Sequence, residues 1–229
     1  MHTFGVGIIG FGFMGRTHSY GHVNMPLYYD PPPCRTCLVG VATSRRETAE
    51  AARQALGFEC ATDDWQELIA RADVDLIHVC TPNKFHKEQV LAALAAGKHV
   101  YCDKPLCMDR AEAAEIAAAL PSARVTHQMA LHSRFFPATL RAKQLAEESF
   151  LGELLSFRGA YLHAGSADPK APLRWKLDAA LSGGGVLLDL GSHSLDLVQH
   201  LVGPLTVLDC TTRIAYPERP LPSELHRTR

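Results

Sequence analysis

The chain has 229 residues, of which 47% are hydrophobic and 21% charged, and this ordinary globular composition excludes a disordered or fibrous protein. Its 23 Lys and Arg residues nearly balance its 24 Asp and Glu residues, which argues against a nucleic-acid-binding protein with a basic surface. No apolar run reaches the about 18 residues that span a bilayer, and the N-terminus lacks the basic segment of a signal peptide. The seven cysteines, an odd number, are typical of a reduced compartment. We therefore predict a cytoplasmic protein that binds neither nucleic acid nor membrane.

The first part of the chain alternates short apolar runs with helical patterns, which is typical of a parallel sheet built from βαβ units. We predict strands at Phe4–Gly10, Cys37–Thr43, Asp75–Cys80, His99–Cys102 and Val125–Gln128. A capping residue three positions before a carboxylate predicts helix starts at Ser44 with Glu47, Asp64 with Glu67, and Asp109 with Glu112. A further helical stretch, Lys84–Ala96, stops at Gly97. This pattern predicts a doubly wound α/β domain over residues 1–128.

After residue 128 the pattern changes. We predict, in order, a helix at Ala138–Glu148, a strand at Glu153–His163, a loop at Gly165–Gly185, an amphipathic helix near Val186–His200 and a strand at Leu205–Ile214. Two strands are few for an independent sheet. Residues 129–229 are therefore predicted to form a shortened α+β second domain.

A glycine-rich turn follows the first predicted strand directly and leads into a helical stretch. Its sequence is Gly10-Phe11-Gly12-Phe13-Met14-Gly15, a GxGxxG pattern. The first glycine permits a tight turn, the second lets backbone approach a pyrophosphate, and the third lets helix and strand pack closely. The N–H groups at the helix start favour phosphate oxygens. These six residues predict a dinucleotide site in a Rossmann domain, although three glycines also suit a purely structural turn.

The end of the second predicted strand bears on the choice of cofactor. NAD-selective sites carry an acid there for the ribose hydroxyls, whereas this chain has Ser44, Arg45 and Arg46. Because Arg binds phosphate oxygens through a two-pronged donor, these residues suit a 2′-phosphate. We favour NADP over NAD. In the alternative, Ser44 caps the next helix and both arginines lie on a solvated helix face.

A CxxC pattern at Cys34 and Cys37 raises the alternative of a metal or redox site. A structural zinc site needs four ligands, and no second CxxC or HxxxH pattern follows at suitable spacing. We predict no metal site.

Three later patterns point to a known family. They are Cys80-Thr81-Pro82-Asn83 followed by His86, then Asp103-Lys104-Pro105, then Gly183-Gly184-Gly185 leading to Asp189 and His193. With the glycine turn, the chain resembles the Gfo/Idh/MocA oxidoreductases over residues 4 to 214. The resemblance implies an NAD(P)-dependent enzyme that transfers a hydride between nicotinamide and a hydroxyl or carbonyl of a sugar, cyclitol or related polyol. It also implies a homo-oligomer and a second domain with a large open sheet, of which this chain has a shortened form.

The resemblance implies roles for individual residues. Lys104 would donate to the reacting substrate oxygen, and Asp103 stands where the family usually has Glu. A cis bond is expected at Lys104–Pro105. His193 would exchange the proton of the substrate hydroxyl, because imidazole titrates near neutrality. Asp189 would bind or orient substrate, unless Asp189 and His193 only pair with each other.

Other residues fall where the family lines its sites. The loop that passes the nicotinamide would contain Thr81, Pro82, Asn83 and His86, although Asn83 also suits a helix cap. Arg134, Trp175 and Lys176 would line the substrate cleft, although Trp175 suits a core position equally well. Asp196, on the same predicted helix as His193, is a weaker candidate contact.

Two alternative functions stay open. A truncated or regulatory member of the family would bind cofactor without turnover, and the short second domain favours it. An NAD-assisted glycoside hydrolase would release sugar without net reduction of the cofactor.

Overall fold

The structure, a computed structural model, describes residues 2–222. It divides into two compact units, with the boundary between Ala130 and Leu131. We call residues up to Ala130 unit 1 and those from Leu131 onward unit 2, and each has its own architecture.

Unit 1 is built on one six-stranded sheet. The strands are β1 (Thr3–Ile9), β2 (Arg35–Ala42), β3 (Cys60–Thr62), β4 (Leu76–Val79), β5 (His99–Cys102) and β6 (His127–Met129). They lie in the order β3-β2-β1-β4-β5-β6, and every pair is parallel. This is the order of a Rossmann sheet. The predicted doubly wound α/β fold is confirmed.

Five helices connect these strands. They are α1 (Phe13–Tyr28), α2 (Arg46–Leu56), α3 (Trp65–Ala70), α4 (His86–Ala95) and α5 (Arg110–Ala119). Two predicted caps are confirmed: Asp64 accepts from the Gln66 N–H at 2.8 Å, and Asp109 accepts from the Glu112 N–H at 2.9 Å. Gly97 follows α4 with φ +69°, as the predicted helix end requires.

The cap predicted at Ser44 is wrong. Arg45 occupies the cap position of α2, and no side chain accepts a hydrogen bond there. The threonines on either side supply the local hydrogen bonds instead. The hydroxyls of Thr43 and Thr48 donate to the Arg45 carbonyl at 2.8 and 2.9 Å, which orders this turn without Ser44.

Apolar side chains are buried on both faces of the sheet, as expected for parallel strands covered by helices. On one face Val6, Ile8 and Val41 pack with residues of α2 and with Phe58. The other face carries a larger cluster that includes strand residues and residues of α3, α4 and α5, among them Ile9, Val39, Leu68, Ile77, Val79, Val90, Val100 and Ile116. The alternation of Ile8 and Ile9 between the two clusters follows from the two-residue period of a strand.

Unit 2 contains helices α6 (Pro137–Glu147), α7 (Ala179–Ser182) and α8 (Ser192–Val202). Short 3₁₀ turns lie at His132–Phe135 and Trp175–Leu177, and a π-helical turn at Leu187–Gly191 leads into α8. The predicted helices near Ala138–Glu148 and Val186–His200 are therefore confirmed.

The two strands predicted in unit 2 are wrong. In residues 131–222 neither Glu153–His163 nor Leu205–Ile214 forms a strand. A strand exists only where a neighbour accepts and donates its backbone hydrogen bonds, and no ladder partner pairs with either segment within the described part of unit 2. Their apolar side chains are exposed, for example Leu162 at 91% and Leu208 at 94%.

No helix within residues 2–222 is both long enough and apolar enough to cross a membrane.

Candidate active site

The glycine turn leaves β1 at its carboxyl end and enters α1. Gly10 has φ +88°, which favours glycine, and its N–H donates to the Ala42 carbonyl at 2.8 Å. A Cβ on Gly10 would lie 2.6 Å from the Cys80 carbonyl oxygen, and one on Gly15 would lie 2.1 Å from that of Gly10. Both positions therefore require glycine because backbone approaches them closely.

The middle of this turn is open, in contrast to its two ends. A Cβ added to Gly12 would meet no atom within 4 Å. Gly12 caps α1 without a side-chain hydrogen bond, and the first turn of the helix has no acidic residue. Phe13 beside it is 82% exposed, and the Arg16 guanidinium lies 5.4 Å from the ring of Phe11. Free space thus faces helix N–H groups, which is the arrangement that a pyrophosphate needs.

The segment after β2 presents cationic side chains to solvent. Ser44, Arg45 and Arg46 are all exposed. The Ser44 hydroxyl does not cap α2.

Buried residues of α4 form hydrogen bonds with the loop after β4. The Thr81 hydroxyl donates to the Gln89 side-chain oxygen at 2.7 Å, and Gln89 is only 3% exposed. Pro82 precedes a 3₁₀ turn, Asn83–Phe85, in which Asn83 is buried. His86, predicted beside the cofactor, is 1% exposed, and its ring nitrogens lie 2.7 Å from the Pro105 oxygen and 2.8 Å from the Thr81 oxygen.

The loop after β5 carries the candidate catalytic lysine. Asp103 accepts a hydrogen bond from the backbone N–H of Lys104 at 2.8 Å, and the Lys104–Pro105 peptide is cis, as the resemblance implied. Lys104 is half-buried. Its position at the carboxyl end of a central parallel strand is where open α/β sheets bind ligands.

Three of these loops lie along one edge of the sheet, because β1, β4 and β5 are neighbours. The Cys80 N–H donates to the Ile9 carbonyl and the Asp103 N–H to the Val79 carbonyl, both at 2.8 Å. Lys104 therefore lies two strands from the glycine turn, a separation of about 10 Å at the usual strand spacing.

A chain of hydrogen-bonded side chains runs beneath this edge, between α1 and the sheet. His78 of β4 contacts His18 through its Nδ1 atom at 3.0 Å and His22 through its Nε2 atom at 2.9 Å. His18 Nδ1 also lies 3.3 Å from Cys80 Sγ, and His22 Nδ1 lies 3.2 Å from Thr36 Oγ1. The i, i+4 spacing of His18 and His22 on α1 was a signal for this chain, but the partner on β4 was not foreseeable.

Burial governs the acid–base behaviour of these hydrogen-bonded side chains. It lowers the pKa of His22 to about 4, with a smaller contribution from the charge of His18. The pKa of His78 is lowered well below its usual value, first by burial and then by the neighbouring histidines. Burial and the negative charge of Asp103 raise the pKa of Cys80, which keeps it a thiol. His22, His78 and Cys80 are therefore uncharged at physiological pH.

In unit 2, Arg134 and Asp196 form a two-pronged ion pair. The Arg134 Nε atom lies 2.8 Å from both carboxylate oxygens of Asp196, and its Nη2 atom makes a further short contact. The pair raises the pKa of Arg134, chiefly through its hydrogen bonds to Asp196. Asp196 is 6% exposed, whereas Arg134 keeps 39% of its side chain exposed.

The proposed proton-exchanging histidine lies one turn from this pair. His193 is buried in α8, and its ring lies edge-on to that of His132 at a centroid distance of 5.0 Å. No sequence pattern indicates this contact, because 61 positions separate the two histidines.

Asp189, the other acid predicted at the site, forms a second ion pair. The Lys176 ammonium donates to the Asp189 carboxylate at 2.9 and 3.2 Å, and it lies 5.8 Å from the ring of Trp175. Asp189 belongs to the π-helical turn before α8, a type of distortion that is frequent at functional sites. Trp175 is 37% exposed, so it is not a core residue.

No group of three His, Cys, Asp or Glu side chains in the described residues is arranged to hold a metal ion. The cysteines of the CxxC pattern are free thiols, and the pKa of Cys37 is raised, chiefly by burial.

Comparison with known sequences matches both units to one family. A family model described as an oxidoreductase family with an NAD-binding Rossmann fold matches residues 4–131, and the model of the GFO/IDH/MocA C-terminal domain matches residues 139–227. The chain belongs to the Gfo/Idh/MocA oxidoreductase family. The resemblance drawn from the motifs is thereby confirmed.

Gfo/Idh/MocA relatives of known activity act on sugars and cyclitols. The chain is 37% identical over 223 residues to levoglucosan dehydrogenase of Pseudarthrobacter phenanthrenivorans, covering 97% of this chain and 57% of the relative. It is 28% identical over 198 residues to myo-inositol 2-dehydrogenase of Thermotoga maritima, covering 86% of this chain and 54% of the relative. A solved levoglucosan dehydrogenase in complex with NADH and levoglucosan superposes with a TM-score of 0.93 at 37% identity, over 96% of this chain and 59% of that one. The chain thus spans little more than half the length of these relatives.

Proposed function

We propose that the chain is an NAD(P)-dependent oxidoreductase of a sugar or cyclitol alcohol. The observation that carries the proposal is the position of Lys104, at the carboxyl end of β5 and two strands from an open glycine turn. The activities of the Gfo/Idh/MocA relatives support the same class of substrate.

The residues of the glycine turn fit a dinucleotide. The free space at Gly12 and the uncapped start of α1 suit a pyrophosphate, while Phe11, Phe13 and Met14 supply apolar surface around it. Thr81, Pro82 and Asn83, in the loop after β4, would border the nicotinamide. When bound, the cofactor accepts or supplies the hydride.

We further propose that NADP(H) is preferred over NAD(H). Ser44, Arg45 and Arg46 are exposed, the Ser44 hydroxyl is not used as a helix cap, and no acid stands among them. Arginine binds phosphate as a two-pronged donor, so these residues would bind a 2′-phosphate. The solved levoglucosan dehydrogenase complex contains NADH, so this preference would be a difference between the two proteins.

Lys104 would donate a hydrogen bond to the reacting oxygen of the substrate and stabilise the negative charge that develops there. Asp103, which accepts the backbone N–H of Lys104, would orient this segment. His193 would take the hydroxyl proton during oxidation and return it during reduction. Asp189 and Arg134, each held by an ion pair, would bind further hydroxyls of the substrate.

Titration of the purified chain with NADPH and NADH, followed by turnover assays with levoglucosan and myo-inositol, tests the proposal. We expect binding of both cofactors, tighter for NADPH, and reduction of the oxidised cofactor by at least one alcohol. Binding without turnover would favour a regulatory member of the family, and absence of binding by folded protein would contradict the whole proposal.

The role of Lys104 is tested by Lys104→Ala. We expect kcat/KM to fall by about 10²–10⁴, with the dissociation constant of the cofactor unchanged, because the lysine would act on the reacting oxygen alone. His193→Ala should lower kcat/KM to a similar extent. Lys170→Ala and His127→Ala, at exposed positions, are the matched controls.

A further inference from the structure

His86 joins the two loops that border the candidate site. It is the first residue of α4 and is 1% exposed. Its Nδ1 atom lies 2.7 Å from the carbonyl oxygen of Pro105, in the loop after β5, and its Nε2 atom lies 2.8 Å from that of Thr81, in the loop after β4. Both contacts are as short as the hydrogen bonds that charged donors make.

The chemistry of the two partners fixes the hydrogen-bonding state of the ring. A carbonyl oxygen only accepts hydrogen bonds, so each ring nitrogen must donate. A neutral imidazole carries one N–H, and its other nitrogen would then direct a lone pair at a carbonyl oxygen less than 3 Å away. Only the imidazolium satisfies both contacts. Asp103 lies on the segment that His86 binds, two residues before Pro105.

We propose that His86 is a doubly donating, positively charged positioning residue that holds Lys104 in place. Pro105 follows Lys104 directly, so a hydrogen bond to its carbonyl fixes the backbone beside the catalytic lysine. The second hydrogen bond ties this loop to Thr81, whose own hydroxyl is held by Gln89. His86 therefore couples the position of Lys104 to the loop that would border the nicotinamide. This inference rests on the proposed role of Lys104.

Both ring nitrogens of His86 are engaged and its side chain is buried, so it does not reach a cofactor directly. The resemblance implied a place beside the nicotinamide for this residue. The geometry assigns it an indirect role instead, through the backbone of its two neighbours.

The state of the ring is tested by long-range ¹H–¹⁵N NMR of the histidine side chains of the intact chain at pH 7, with His86→Gln to assign the signal. We expect both nitrogens of His86 to carry protons. One unprotonated nitrogen would overturn the doubly donating assignment. This measurement needs neither cofactor nor turnover.

The positioning role is tested by His86→Leu and His86→Gln, with Val90→Ala as a control for lost stability in the same helix. Val90 is 3% exposed and belongs to the apolar core of unit 1, so its truncation lowers stability without removing a side-chain hydrogen bond. We expect kcat to fall about 10²-fold in His86→Leu, since displacement of a catalytic group by about 1 Å costs that much. His86→Gln, which still donates to one carbonyl, should recover about tenfold of this loss. KM and the cofactor dissociation constant should change less than threefold.

A third measurement follows Lys104 itself. In protein whose lysines carry ¹³C-methyl groups, the Lys104 resonance should shift in His86→Leu and stay unchanged in Val90→Ala. If His86→Leu matches Val90→Ala in both kcat and this resonance, His86 is merely structural and the inference fails. If Lys104→Ala keeps full turnover, the proposed function fails instead, whatever His86 does.

Discussion

The two units differ in what they bury. Every buried hydrophobic side chain among the described residues belongs to unit 1, whereas the buried side chains of residues 131–222 are Ser182, His193 and Asp196, all polar. Unit 1 is thus stabilised by apolar cores on both faces of an open, continuously hydrogen-bonded sheet. Unit 2, in its described part, buries polar side chains, among them the candidate site residues His193 and Asp196, and leaves apolar segments such as Leu205–Ile214 exposed.

The largest expected effect follows directly from this contrast. Ile77, in the middle of β4, is fully buried, so Ile77→Ala should lower the free energy of unfolding by about 2–5 kcal/mol. Leu208→Ala in unit 2, at a side chain 94% exposed, should change it by less than about 0.5 kcal/mol. Urea unfolding followed by circular dichroism measures both. Equal losses would show that the segment Leu205–Ile214 is packed in solution.

The histidine chain of unit 1 predicts an acid-sensitive core. The folded-state pKa of His22, about 4, lies below its usual value of 6.5, so the unfolded chain takes up the proton first as pH falls. His22 therefore leaves the free energy of unfolding unchanged above pH 6.5. As the pH falls from 6.5 to 4, it should lower this free energy by up to about 3 kcal/mol. His22→Gln should flatten this slope, while His127→Gln, at an exposed position, should keep it. Unfolding curves at pH 7, 6, 5 and 4 measure the effect, and an unchanged slope in His22→Gln would assign the acid sensitivity elsewhere.

In unit 2 the next largest effect is expected at the buried ion pair between Arg134 and Asp196. Asp196→Asn removes the charge that faces Arg134, and we expect a loss of about 1–2 kcal/mol, because the carboxylate is buried but the arginine is partly solvated. Amide hydrogen exchange in α8 measures this locally. Glu148→Gln, which removes the partner of Arg141 in an exposed pair, is the matched control, and its effect should be near zero. Unchanged protection in Asp196→Asn would mean that the buried pair contributes no stability.

The smallest effect on stability is expected at the open position of the glycine turn. Gly12→Ala meets no atom within 4 Å, so the free energy of unfolding should change by less than about 0.5 kcal/mol. The added methyl group would occupy the space proposed for the pyrophosphate, and NADPH affinity should fall at least tenfold. Calorimetric titration measures the affinity. Normal affinity in this variant would place the phosphates elsewhere.

Local patterns account for the parts of the fold that the sequence predicted. The alternation of apolar strands with helices, Asp64 and Asp109 as caps, and the glycine turn depend on neighbours within a few residues, and all are found in the structure. Strand β3, with only three residues, was missed because such a run shows no periodicity. The strands predicted at Glu153–His163 and Leu205–Ile214 have suitable composition but lack pairing partners in the described residues, and composition carries no information on pairing.

At the candidate site, too, sequence patterns identified individual residues but not the contacts between residues that are distant in sequence. The motifs identified Lys104, Asp189 and His193 through a resemblance, and their roles stay predictions. The contacts around them join residues distant in sequence: His86 with Pro105, Arg134 with Asp196, and His132 with His193. None of these residues belongs to a periodic sequence pattern. Only the folded structure therefore shows which residues are in contact.

The glycine turn also limits how this chain can evolve. The atoms that exclude a side chain at Gly10 and Gly15 are backbone oxygens, those of Cys80 and of Gly10 itself. A clash with a side chain can be relieved by a second mutation to a smaller residue, but every residue carries the same carbonyl. No compensating substitution is therefore available at these two positions, whereas Gly12 is sterically free to vary and would be held only by selection for its ligand.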